Sequence, residues 1–142
     1  MSIRWTESDP SLTESDDIVE RQRIDNKRQI GGDYETVASE YLVNKGYTIV
    51  QINYRVRQAE IDIIAMDGRT IVFVEVKYRA NIGSGHPLEA VDVRKQRRIC
   101  RAALEYLMRN KISIDNTSIR FDVIGILGKE ITHVENAFEY IG

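Results

Sequence analysis

Three charged residues stand inside two apolar segments of this sequence, where charge is unusual. Asp62 lies within the apolar run 61–64, and Glu75 and Lys77 close the run 71–77. Burying an unpaired charge is costly, so each of these side chains needs a partner or a ligand. Two carboxylates and an ammonium group held together could bind a divalent cation and hydrolyse a phosphodiester bond.

Both segments are predicted to be neighbouring strands, 61–66 and 70–78, joined by a tight turn at Asp67-Gly68. If residues 67 and 68 form the loop, Asp62 lies one pair away from Glu75 in the antiparallel ladder. Strand twist or a bulge would bring the two carboxylates onto one face. Because strand side chains alternate, Lys77 shares the face of Glu75.

Two carboxylates this close repel each other, and each raises the pKa of the other. A divalent cation between them removes the repulsion, and hard oxygen ligands favour Mg²⁺, with Mn²⁺ as the substitute. Lys77 could then orient the attacking water or stabilise phosphoryl charge. The structural alternative is a plain ion pair between Glu75 and Lys77 at the edge of the sheet.

Two predicted helices carry further candidates. The first, capped by Asp33 and ended by Gly46, has one apolar face formed by Tyr34, Val37, Ala38, Tyr41 and Leu42. Glu35 flanks this face in the first turn, either as a third metal ligand or as an exposed residue favoured by the helix dipole. The second helix is predicted over 88–110, with a break near Asp92. Its Lys95 lies four residues before Ile99 and so continues the apolar face towards the sheet.

Basic residues cluster on the second helix, with no acidic residue between 93 and 104. We predict that they contact nucleic-acid phosphates, and a solvated basic face is the alternative reading. The predicted nucleic-acid-binding residues are Arg79, Arg94, Arg97, Arg98 and Arg101. His86 and His133 lack the spacing of metal ligands and are expected to be incidental.

The order of predicted elements is α-β-β-β-α-β-β, with the last two strands at 118–127 and 130–136. This order predicts an α/β fold with a mixed central sheet flanked by helices. Residues 1–30 hold seven acids and five bases and few apolar residues, so they are expected to be a disordered or loosely helical extension. Residues 31–142 are expected to form one domain.

The composition of the chain excludes several classes of protein. The net charge is −2, the single cysteine allows no internal disulfide, and no apolar run approaches the length of a membrane span. The N-terminus lacks the apolar core of a secretory signal. We therefore expect a cytoplasmic protein that does not enter a membrane.

At these residues the sequence resembles the PD-(D/E)-x-K nuclease superfamily, which has the restriction-endonuclease-like fold. Residues 31–138 more closely resemble the YraN-like family of small bacterial proteins, relatives of Holliday-junction resolvases. The matching stretches begin at Glu35, Gly46, Asn53, Glu60, Phe73, Lys95, Arg120 and Asn136. The chain departs from the family pattern at Tyr34 and Ala59, where the family usually has glycine.

The resemblance places Glu35, Asp62, Glu75 and Lys77 at the catalytic positions and Lys95 at a supporting one. It implies a metal-dependent endonuclease acting on DNA, with branched or damaged DNA as substrates and a homodimer as the assembly. The competing hypothesis is a nucleic-acid-binding accessory protein with this fold and little or no activity. A third is a protein–protein module in which Glu75 and Lys77 form a structural ion pair.

Overall fold

The computed structural model describes residues 26–81, 83, 85–87 and 91–141. Within them, the elements follow the predicted order α-β-β-β-α-β-β. They are α1 (Asn26–Asn44), β1 (Thr48–Val56), β2 (Ala59–Asp67), β3 (Thr70–Arg79), α2 (Val93–Arg109), β4 (Ile119–Leu127) and β5 (Glu130–Phe138). The fold is α/β, as predicted, and is consistent with a restriction-endonuclease-like arrangement.

The five strands form one sheet in the order β1-β2-β3-β4-β5. Neighbouring strands are antiparallel except β3 and β4, which are parallel. A parallel pair needs a crossover, and α2 supplies it between β3 and β4. The sheet is therefore mixed, and its central strand β3 is buried over residues 71–75.

The two helices cover opposite faces of the sheet. Val37 and Leu42 of α1 belong to the apolar cluster that contains Val74 of β3. Ile99 of α2 belongs to a second cluster that contains Phe73. Because residues 73 and 74 point to opposite faces, α1 and α2 lie on opposite sides, which explains the continuous apolar run of β3.

The first helix is longer than predicted at its start. It begins at Asn26 and runs through Gly31-Gly32, so the prediction that Asp33 caps it is wrong. Glycine lowers helix stability by about 1 kcal/mol but keeps its N–H, so it does not break the hydrogen-bonded ladder. The predicted end is confirmed, because Gly46 has φ +100° and Tyr47 N–H donates to the Leu42 carbonyl at 2.9 Å. Residues 1–25, the larger part of the predicted extension, lie outside the described residues.

The hairpin between β2 and β3 has a different loop from the predicted one. Asp67 pairs with Thr70, so Gly68 and Arg69 form the two-residue loop. The ladder pairs Ile63 with Val74, and the same register continued by one residue places Asp62 opposite Glu75. The predicted offset of one pair is therefore wrong, and the two carboxylates are closer in register than the sequence suggested.

The second helix begins at Val93, and the Asp92 side chain caps it by accepting from Lys95 N–H at 2.9 Å. The predicted break near Asp92 is thus the start of the helix, and residues 88–90 lie outside the described residues. Its predicted apolar face, Ile99, Ala103, Tyr106 and Leu107, is buried. No helix in the described part of the chain combines the length and apolar character that crossing a membrane requires.

Candidate active site

One row of polar residues crosses three neighbouring strands. Tyr54 of β1 pairs with Ile61 and Ile52 pairs with Ile63, so Asn53 stands opposite Asp62. Asp62 in turn stands opposite Glu75 in the continued register of β2 and β3. Asn53 has φ +58°, a left-handed conformation that asparagine adopts more readily than most residues. The row brings an amide and two carboxylates together at one place in the sheet.

The regular ladder between β2 and β3 gives way at this row. The last pair of the ladder is Ile63–Val74, and beyond it the N–H of Val76 donates to Asp62 Oδ2 at 2.7 Å. Asp62 is 6% exposed, so this hydrogen bond satisfies one oxygen of a carboxylate that water scarcely reaches. The bond also ties the backbone between Glu75 and Lys77 directly to the Asp62 side chain.

Glu75 is held by two ammonium groups. Its Oε2 lies 3.3 Å from Lys77 Nζ and 3.4 Å from Lys95 Nζ, and the carboxylate is 3% exposed. Lys95 reaches it from α2, which confirms the expectation that this side chain points towards the sheet. The other oxygen, Glu75 Oε1, is buried and hydrogen-bonds to no atom of the described residues. One side of this carboxylate is therefore available to a ligand.

Both carboxyl groups ionise with difficulty in this setting. Burial raises the pKa of Asp62 to about 7. The hydrogen bond from Val76 N–H lowers this pKa, and the charge of Glu35 raises it further. Burial and the charge of Asp62 raise the pKa of Glu75 to about 7, although Lys95 and Lys77 lower it. Mutual repulsion of buried carboxylates is the situation that a divalent cation relieves.

Glu35 joins this group from α1. Burial raises its pKa, although interactions with the Asp62 and Asn53 side chains lower it, so Glu35 lies near both of them. Two neighbouring carboxyl groups repel each other when both are ionised. The predicted position of Glu35 next to the helix's apolar face therefore brings it to Asp62 rather than to solvent.

The chemistry of these residues fits Mg²⁺ or Mn²⁺. Asp62 and Glu75 supply hard oxygen ligands, and Glu75 Oε1 lacks any other partner among the described residues. As they stand, no three His, Cys, Asp or Glu side chains of the described ranges converge into a cluster that could hold an ion. Binding of a cation would therefore involve adjustment of the Glu35 side chain, or two carboxylates with water as the remaining ligands.

The basic residues predicted from the sequence are spread over several surfaces. Arg79 donates to the Tyr78 carbonyl at 3.0 Å, so its guanidinium folds back onto its own strand. Arg94, Arg97 and Arg101 are exposed along α2. Of the predicted set, Arg98 is the one that shares a cleft with Lys95.

A second buried charged cluster, on the α1 side of the sheet, was not predicted from the sequence. Asp122 of β4 is fully buried and accepts from Arg120, with Nε–Oδ1 at 2.9 Å and Nη2–Oδ2 at 3.0 Å. His133 of β5 lies 2.7 Å from the same carboxylate, and Asn136 N–H donates to it at 2.9 Å. The expectation that His133 is incidental is wrong, because it bridges Asp122 and Lys45. The signal was available, since Asp122 interrupts an apolar strand as Asp62 does.

Glu60 is the second omission. Its charge contributes to the raised pKa values of Glu35 and Asp62, so it lies near the carboxylate group. It also forms an exposed ion pair with Arg55 at 3.2 Å. A charge two residues before Asp62 alternates onto the same side of an ideal strand, which is the feature that could have revealed it.

The chain is similar to proteins of one known family. The model of the family described as "Uncharacterised protein family UPF0102" matches residues 34–126. A UPF0102 protein of Lachnoclostridium phytofermentans is 46% identical over 117 residues, covering 82% of this chain and 98% of the relative. Another, from Alkaliphilus oremlandii, is 49% identical over 115 residues, covering 78% and 98%. A third, from Aliivibrio fischeri, is 42% identical over 118 residues, covering 82% and 96%.

Proposed function

This chain belongs to the UPF0102 family, the YraN-like family whose resemblance its motifs indicated, and we propose that it is a divalent-metal-dependent endonuclease that hydrolyses phosphodiester bonds of DNA. One observation carries the proposal. Two carboxylates, Asp62 and Glu75, are buried at positions that the β2–β3 register, continued by one residue, places opposite each other, and two lysines contact the second of them. Hydrolysis of a phosphodiester needs these parts, namely oxygen ligands for a cation and positive charge beside the phosphoryl group.

Asp62 and Glu75 would hold Mg²⁺ or Mn²⁺, with Glu35 as the third predicted ligand. The cation, when bound, supplies Lewis-acid polarisation of the phosphate and a bound water of lowered pKa. Asp62 is oriented for this role by the Val76 N–H bond, and Glu75 by the two lysines. Lys77 is partly exposed, and its positive charge would stabilise the negative charge that develops on the phosphoryl group in the transition state.

A purely structural ion pair explains these residues less well. It accounts for Glu75 and Lys77, but it leaves Glu75 Oε1 buried without a hydrogen bond within the described structure. It also leaves Asp62 beside Glu35, two carboxyl groups whose closeness costs stability unless something offsets it. A site that binds a cation gives each of these features a function.

A second candidate function is binding of nucleic acid without cleavage. The observation that favours it is that no three carboxylates of the described residues converge on one point as they stand. Such a protein would keep the fold and the basic surface as an accessory factor. It would bind DNA with the salt dependence of phosphate contacts and would gain nothing from Mg²⁺.

Cleavage assays separate these possibilities. Supercoiled, single-stranded and four-way-junction DNA are incubated with the protein and Mg²⁺, Mn²⁺ or EDTA. We expect metal-dependent cleavage that Asp62→Ala abolishes and Lys77→Ala lowers by about 10²–10³. The control Glu105→Gln, at a half-exposed position of α2 where it pairs with Arg109, should keep it. Binding without cleavage would leave the accessory function, and absence of both would leave a protein–protein module. Sedimentation with and without junction DNA tests the expected homodimer.

A further inference from the structure

A cleft of about 350 Å³ opens between the hairpin that joins β1 to β2 and the first turns of α2. Its volume is in the range of pockets that bind a nucleotide-sized group. We call it the basic cleft, and its polar lining consists of Arg55, Arg57, Gln58, Glu60, Lys95 and Arg98. Among the sequence predictions for nucleic-acid contact, Arg98 belongs to this lining, and the two hairpin arginines were not predicted.

The charge of the basic cleft is strongly positive. Four cationic side chains face one carboxylate, Glu60, which gives an excess of three positive charges. The carboxylate is 3.2 Å from Arg55 Nε, but both side chains are well exposed, and exposed ion pairs contribute little to stability. An anionic ligand can therefore compete with Glu60 for Arg55.

Lys95 connects the basic cleft to the candidate active site. Its Nζ lies 3.4 Å from Glu75 Oε2, and the same side chain lines the cleft. The cations of the cleft thus come from two walls, the hairpin and α2, and continue outwards from the carboxylates. A charged surface that leads away from a hydrolytic centre suits a chain of phosphates better than one small anion.

We propose that the basic cleft binds the phosphates of the DNA strand next to the phosphodiester that the candidate site cleaves. This inference rests on the proposed function only for which phosphodiester is cleaved. Binding of phosphates in the basic cleft does not depend on cleavage. Arg55 and Arg57 of the hairpin and Arg98 of α2 contact phosphate oxygens, since the guanidinium group matches phosphate in a bidentate geometry. Apart from Val56 and Ala59 the lining is polar, which favours nucleic acid over a lipid surface.

The test compares two variants that lose the same charge. Arg55→Gln/Arg57→Gln removes two cations from the basic cleft. Arg69→Gln/Lys129→Gln removes two exposed cations from the turns of other hairpins and serves as the matched control. Affinity for a fluorescein-labelled duplex and a four-way junction is measured by fluorescence anisotropy in EDTA over a series of salt concentrations, so that no cleavage takes place.

We expect the hairpin variant to bind at least tenfold more weakly than the control. Its plot of log affinity against log salt should be shallower by about 1.8, because two phosphate contacts on duplex DNA contribute about 0.9 each. Glu60→Gln should bind more tightly than wild type, since it removes the carboxylate from the cleft. This change of opposite sign, and Arg57→Gln alone, keep the inference testable if the double variant folds poorly.

Equal affinity and salt slope in the hairpin variant and its control would overturn the inference, as would wild-type protein that does not bind DNA. Binding to vesicles of anionic lipid is measured for the same proteins. The inference would also be overturned if the hairpin variant lost vesicle binding while its DNA binding stayed unchanged. The proposed function fails separately, through absence of cleavage with Mg²⁺ or Mn²⁺. Hairpin-dependent binding without cleavage would support the cleft and remove the nuclease activity.

Discussion

The carboxylate of Asp62 accepts a 2.7 Å hydrogen bond from the backbone N–H of Val76, the residue between Glu75 and Lys77. This bond lies just beyond the last pair of the ladder between β2 and β3, Ile63–Val74. It couples the position of Asp62 to the backbone that carries the other two charged residues. The same carboxylate therefore supports the local fold and serves the proposed metal site.

The two roles of Asp62 are separable by substitution. Asp62→Asn keeps an oxygen that can accept from Val76, so we expect the fold to be retained and metal-dependent cleavage to be lost. Asp62→Ala leaves the partly buried Val76 N–H without this acceptor and should lower the free energy of unfolding by about 1 kcal/mol relative to Asp62→Asn. Urea denaturation at pH 6 measures the difference, and equal stability of the two variants would contradict the role given to this bond.

The raised pKa values predict a dependence of stability on pH. Asp62 and Glu75 ionise near pH 7 in the metal-free fold, against ordinary values of 3.8 and 4.5. Between about pH 4 and 7 the folded state therefore binds more protons than the unfolded state, so the free energy of unfolding falls as pH rises. In EDTA, the free energy of unfolding of Asp62→Asn minus that of wild type should be larger at pH 8 than at pH 5. An equal difference at the two pH values would argue against the raised pKa of Asp62.

Binding of metal should show the complementary dependence. A cation binds the ionised carboxylates, so its affinity should rise as pH passes through about 7. Mg²⁺ should therefore raise the melting temperature of wild-type protein more at pH 8 than at pH 6. Asp62→Asn should reduce this stabilisation at both pH values, and an undiminished response would place the cation elsewhere.

Lys77 and Lys95 both contact Glu75 but should differ in their effect on cleavage. Lys77 lies on β3, two residues after Glu75, whereas Lys95 reaches Glu75 from α2 and also lines the basic cleft. We expect Lys77→Ala to lower kcat by about 10²–10³, the range seen when one group that stabilises transition-state charge is removed. Lys95→Ala should cost less in kcat and should mainly weaken DNA binding. If Lys95→Ala lowered kcat more than Lys77→Ala, Lys95 would be the residue that stabilises transition-state charge.

The buried pair Arg120–Asp122 should dominate the stability of the α1 side of the sheet. Burial alone would raise the pKa of Asp122, but hydrogen bonds from His133 and Arg120 lower it, so the carboxylate is charged in the fold. Arg120→Met leaves that charge without its main partner and should cost about 3–5 kcal/mol. Glu135→Gln, in an exposed pair with Lys45, should cost less than about 1 kcal/mol and serves as the control.

A double-mutant cycle tests the coupling within this pair. Arg120→Met/Asp122→Leu removes both charges, so its loss of stability should be smaller than the sum of the two single losses. Thermal and urea denaturation of the four proteins measure the interaction. Strict additivity would mean that Arg120 contributes through its contacts with Asp67 and Tyr47 instead.

The sequence by itself determined the order of the elements and the identity of the charged strand residues. Alternation of side chains is a local property, so the shared face of Glu75 and Lys77 followed from the run 71–77 alone. The end of α1 was equally local, because Gly46 adopts a positive φ that most residues avoid. The start of α1 was mistaken, because glycine marks a helix end only by propensity and two of them continue this helix.

The tertiary structure decided which of these residues meet. A loop at Gly68-Arg69 instead of 67–68 moved the strand pairing, and that small change brought Asp62 opposite Glu75. The basic cleft and the contacts of Arg120 with Asp67 and Tyr47 join segments that are far apart in the chain. Such contacts depend on strand register and on how the helices pack against the sheet, and no local pattern of residues encodes either. The sequence therefore identified the chemical groups, and the packing of the sheet and helices set their geometry.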